Sequence, residues 1–104
     1  MSTEYYICPN KQCQISDVWG RLKALVSGQP FCIDVQDNLL ILKGTSSQSE
    51  WTFDIRIFFT EEILIEISSW NDSVGVEFGR VLTQLSEEFS FIITDEDFDT
   101  VDLI

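Results

Sequence analysis

The sequence predicts an α+β fold, a single largely antiparallel sheet of about six to seven short strands with two helices packed on one face. Three observations carry this. Two stretches repeat their apolar residues at helical spacing, and several short runs alternate apolar and polar residues at strand spacing. The turn signals between those runs are short, as hairpins require. At 104 residues the chain is long enough for one core and is read as a single domain spanning 1–104. Hydrophobic residues make up 44% of it, which excludes a disordered acidic chain.

The elements follow in order. Tyr5-Tyr6-Ile7-Cys8 reads as a first strand, stopped by Pro9-Asn10. Ser16 or Asp17 is placed to cap a helix running to about Ser27, with Ile15, Trp19, Leu22, Leu25 and Val26 on one stripe and Gly28 and Pro30 ending it. Phe31, Ile33 and Val35 alternate with Cys32, Asp34 and Gln36, the pattern of a half-buried strand. Asp37-Asn38 is a tight turn into Leu39-Leu40-Ile41-Leu42, and Gly44 to Ser49 is a polar loop.

Residues 51–59 form the clearest strand pattern, with Trp51, Phe53, Ile55, Ile57 and Phe59 predicted to face the core. Thr60-Glu61-Glu62 turns the chain into Ile63–Ile67. Thr52, Asp54, Arg56, Phe58, Leu64 and Glu66 are thereby assigned to the opposite face of that strand pair. A second helix is predicted from about Asp72 to Ser86, its stripe Val74, Phe78, Val81, Leu82 and Leu85. Phe89, Phe91 and Ile93 suggest a further strand, and Phe98 to Leu103 a last one. A weak internal echo accompanies this order. Shifting the chain by 59 residues lays Trp19-Gly20-Arg21 on Phe78-Gly79-Arg80, as though a strand–helix–strand unit were duplicated and both glycines marked close helix-on-sheet packing.

Charge narrows the function. Eighteen acids against six bases leave −12. Residues 1–49 hold four acids (Glu4, Asp17, Asp34, Asp37) and four bases (Lys11, Arg21, Lys23, Lys43), which cancel. Fourteen acids against Arg56 and Arg80 put the entire −12 in residues 50–104. Direct binding to nucleic acid phosphates is disfavoured, because it rests on Lys and Arg. An acidic membrane surface is disfavoured for the same reason, and no apolar run is long enough to span a bilayer.

Chemistry is sparse. Without a histidine there is neither histidine-based acid–base catalysis nor a Ser-His-Asp triad. No glycine-rich phosphate loop has the required spacing and lysine. Cys8, Cys13 and Cys32 read as reduced thiols acting as small hydrophobes. Asp95-x-Asp97-x-Asp99 opens like a calcium loop, but Thr100 stands where that loop needs glycine and no closing glutamate follows. No enzyme activity, metal or cofactor is therefore expected. Met1-Ser2-Thr3-Glu4 has no basic start or apolar stretch of a signal peptide, so a cytosolic location is expected.

Binding remains. The candidate partner-binding residues are Asp54, Glu61, Glu62, Glu66, Trp70, Asp72, Asp95, Glu96, Asp97 and Asp99: nine carboxylates and one tryptophan of the kind that anchors interfaces. The expected class is a small acidic inhibitor, an immunity protein that occludes a basic toxin of nuclease type, acting as monomer or homodimer. The alternatives are a DNA mimic blocking a nucleic-acid-binding enzyme and an acidic homodimeric secretion chaperone.

Overall fold

The computed structural model describes residues 3–103; Met1 and Ser2, the start of the stretch read for a targeting signal, lie outside them. Nine elements follow one another: β1 (Thr3–Pro9), α1 (Ile15–Val26), β2 (Cys32–Gln36), β3 (Leu39–Leu42), β4 (Ile55–Phe59), β5 (Ile63–Ile67), α2 (Asp72–Glu88), β6 (Phe91–Thr94) and β7 (Thr100–Val101). The strands form one antiparallel sheet of seven, in the order β2-β3-β4-β5-β1-β6-β7.

Register decides which side chains face the helices. Ile7 lies opposite Ile63, Ile57 opposite Ile65 and Leu40, and Ile55 opposite Ile67 and Leu42. Directly opposed residues point the same way, so these aliphatic groups form one continuous buried face. The stripes Val18, Trp19, Leu22, Val26 and Val74, Phe78, Val81, Leu82, Leu85 seal that face, every one of them buried. Trp19 also stacks on Phe59 at 5.4 Å and donates its indole N–H to the Asp37 carbonyl, which fastens α1 over the β2–β3 turn.

Four local expectations are corrected. The residue capping α1 is Gln14, whose carbonyl accepts from Asp17 and Val18; neither Ser16 nor Asp17 caps it, and Asp17 sits in the first turn where its charge suits the helix dipole. β2 is the exposed edge strand: a bulge between Cys32 and Asp34 takes Ile33 out of the alternation and leaves it 54% accessible, and Val35, though opposite the buried Leu40, is 40% accessible at the sheet edge. The strand predicted at 51–59 starts only at Ile55, and Trp51 is 51% exposed. The internal echo does not survive in the topology either. In the sheet, β1 and β2 stand three strands apart, β5 and β6 only one. A Cβ added at Gly20 or Gly79 would meet nothing within 4 Å, so close packing explains neither glycine.

The core assignment has a direct consequence. Phe78→Ala is expected to cost about 3–5 kcal/mol in chemical denaturation, as truncating a fully buried aromatic does. Trp51→Ala, at an exposed position, should change stability by less than about 1 kcal/mol.

Candidate partner-binding surface

The register sets the geometry of the acidic residues. Thr3 pairs with Ile67 and Ile7 with Ile63, while Tyr6 pairs with Thr94. Glu61 and Glu62, before Ile63, therefore stand at one end of the sheet. Trp70 and Asp72 stand at the other, about 17 Å away for a five-residue strand, and the Asp95–Asp99 turn points toward that same end from β6, starting at the level of Tyr5. Trp70 and the Glu61-Glu62 turn are neighbours in sequence only.

Asp54 is not a surface residue. It is fully buried just ahead of β4, and its carboxylate accepts from Gly44 N–H (2.9 Å), Ser47 Oγ (3.1 Å) and Ser49 Oγ (2.6 Å). Its own N–H donates to the Leu42 carbonyl, and its carbonyl accepts from Ser68 and Ser69. Burial alone would raise its pKa; hydrogen bonds from Ser49, Asn71, Gly44 and Ser47 outweigh that and hold it below the ordinary carboxylate value. An acid so satisfied cannot dock a partner, and Asp54 leaves the candidate set.

The loop that Asp54 organises reaches the start of α2. Asn71 caps that helix by accepting from Val74 N–H at 3.0 Å, and its amide donates to Ser47. Glu77 accepts from the Thr45 N–H and hydroxyl, both at 2.9 Å, and from Ser73. Desolvation would raise the Glu77 pKa, but these bonds and the Arg80 charge lower it on balance. Gly44 makes the contact possible, since a Cβ there would lie 2.7 Å from both Ser73 Oγ and Val74 N. Lys43 closes the same loop by donating to the carbonyls of Ser49 and Trp51.

The remaining candidates divide by partner. Glu66 opposes Arg56 across β4 and β5 and accepts from its Nε at 2.7 Å and from Nη2; the guanidinium lies over Phe53 and Phe58. Asp95 is half-buried, and its Oδ1 accepts from the backbone of Asp97 and Asp99, which shapes the β6–β7 turn. Carboxylate oxygens of Asp95, Asp97 and Asp99 come within 4.8 Å of one another, a proximity that this turn accounts for. Trp70 is 42% exposed and sets its ring edge-on to Phe78 at 6.4 Å. Glu61, Glu62, Asp72, Glu96, Asp97 and Asp99 are exposed, and among the described residues none has a salt-bridge partner. Arg21 and Lys23 are taken by Glu88 and Asp37.

One functional candidate escaped the sequence reading. Phe98, expected to open the last strand, instead occupies the β6–β7 turn with φ 63°, stacks on Tyr6 at 6.3 Å and is 74% exposed. The available signal was one aromatic set among acids in D-E-D-F-D. Among known proteins, no family model, curated protein or solved structure matches the chain. Among the described residues, no helix is long and apolar enough to cross a membrane.

The lowered pKa of Asp54 gives a signed pH dependence. Its stabilisation is fully present above the ordinary carboxylate value and is lost as pH falls through the lower folded value. Asp54→Asn should lose about 2–3 kcal/mol at neutral pH in urea unfolding and show a flatter acid limb than the parent. Gly44→Ala should also destabilise at neutral pH in the same urea unfolding, because its added methyl strikes the start of α2 and displaces the N–H that bonds Asp54.

Proposed function

We propose that the chain is a small acidic inhibitor that binds a basic protein. It would act as an immunity protein does, neutralising a nuclease-type toxin by covering the surface that holds the substrate. The observation that carries the reading is the set of six exposed, unpaired carboxylates Glu61, Glu62, Asp72, Glu96, Asp97 and Asp99. Their mutual repulsion destabilises the free protein, and a positive surface relieves it. A nuclease presents such a surface because it must hold phosphates. The acidic field steers encounter, so inhibition needs fit and charge but no chemistry. The bacterial cytoplasm is the location this role implies.

Two other readings are tied to separate features. A DNA mimic calls for carboxylates spaced like phosphates along one face, whereas the two acidic turns lie at opposite sheet ends. A homodimeric secretion chaperone draws support from the apolar groups on the sheet face away from the helices, among them Phe58 and Leu64.

The test is capture from lysate of the source organism at low salt, elution by a salt step, and assay of the purified basic protein for nuclease activity. Loss of that activity on adding one equivalent of the chain supports the reading. Recovery of only a second copy, or of a secreted protein retained through high salt, contradicts it. With the partner in hand, Glu96→Lys/Asp97→Lys/Asp99→Lys should slow association by about tenfold or more at low salt and flatten its salt dependence, measured by stopped flow. Asp95 is left intact in that variant because its carboxylate builds the turn.

A further inference from the structure

The sheet face turned away from the helices carries its own apolar surface. Register places Tyr6, Leu39, Ile41, Phe58, Leu64 and Ile92 there. Arg56 and Glu66 sit among them as a matched pair, while Glu4, opposite Glu66, and Asp34, opposite Ile41, add carboxylates to the same face and leave it net negative. Phe98 reaches the same face from the β6–β7 turn through its stack on Tyr6. These apolar groups and the Arg56–Glu66 pair lie between the two acidic sheet ends, with Glu61 and Glu62 beyond one and Glu96, Asp97 and Asp99 beyond the other.

We infer that this open face is the docking surface. Its occupant is a folded protein presenting an apolar patch ringed by Lys and Arg, with Phe58 and Phe98 as the anchors it receives. The inference rests on the proposed function and adds to it the face, the anchors and the shape of the partner's charge. Charge complementarity selects the occupant. A second copy laid on this face would bring carboxylate-rich ends against carboxylate-rich ends, and nucleic acid or an anionic membrane meets the same repulsion. A basic rim is attracted at both ends and can also meet Glu4, while Arg56 and Glu66 are desolvated together as a pair among apolar groups. An interface of this form takes its binding energy from central aromatics and its rate from rim charges.

The two contributions separate experimentally. Photo-crosslinking residues are introduced as Phe58→p-benzoylphenylalanine, Phe98→p-benzoylphenylalanine and, on the helix side at a 53% exposed position, Val76→p-benzoylphenylalanine. Each variant is irradiated at low salt with the fraction of the source lysate that a cation exchanger retains. The expected result is one basic protein joined at positions 58 and 98 and not at 76. Phe98→Ala should then weaken its binding about thirtyfold, mainly through faster dissociation. Its unfolding midpoint should stay unchanged, because the ring is 74% exposed. Crosslinking at 76 alone would overturn the choice of face while leaving the acidic inhibitor intact. Adducts at 58 and 98 with a second copy would overturn the choice of occupant. Absence of any adduct, together with failure of the salt-step capture, would remove both.

Discussion

The structure depends on one buried carboxylate. Asp54 sits where β3, β4, the end of β5 and the start of α2 converge, and it bonds to the loops or strand ends of each. A lone anion in that position would be costly, and the serine-rich loop Gly44–Ser49 is what makes it tolerable. With the loop folded around Asp54, its backbone lies close enough to α2 for Thr45 and Ser46 to bond Glu77 and Ser73. The orientation of α2 across the sheet thus follows from a polar cluster as well as from its apolar stripe. The stripe can be satisfied by sliding along the sheet, whereas the hydrogen bonds cannot.

This division of labour organises the charge. Acids that serve the fold are recognisable by their partners: Asp54 and Glu77 in the loop cluster, Glu66 against Arg56, Glu88 against Arg21, and Asp95 inside its turn. The bases are largely absorbed by the same tasks, Lys43 in the loop and Lys23 beside Asp37 among them. What is left over is negative: Glu61 and Glu62 stand at one end of the sheet and Asp72, Glu96, Asp97 and Asp99 toward the other, while Asp17, Glu50 and Glu87 are exposed elsewhere. Between those ends lies a face that is largely apolar, with Arg56 its single base among the described strand residues, so attraction and desolvation fall mostly to different residues.

The legible parts of the fold were those governed by period alone. The buried stripe of α2 and the Asp37-Asn38 hairpin follow from spacing and turn chemistry, and so does the opposite-face assignment of Arg56, Phe58, Leu64 and Glu66. Misreadings arose where a polar group or an extra residue overrode the period. Asp54 occupies an outward position in the alternation of residues 51–59, yet it is buried, because Gly44, Ser47 and Ser49 of the preceding loop and Asn71 at the start of α2 converge on it. Trp51 fits the inward pattern and is exposed, because the backbone before Ile55 belongs to that same loop. The bulge at Ile33 and the edge position of β2 expose that strand in a way no alternation can announce. The acidic set was visible by composition, but its separation into two sheet ends needed the register of β1 against β5 and β6.

The central claim is that an ionised Asp54 holds this corner of the fold together. Side-chain carboxyl resonances followed by NMR across an acid titration test it most directly, with the Gly44 amide observed in the same samples. The Asp54 carboxyl should titrate below the ordinary carboxylate value, and the Gly44 amide should shift with the same midpoint. A midpoint at or above the ordinary value, or a Gly44 amide indifferent to it, would show that the loop is held by something other than this charge.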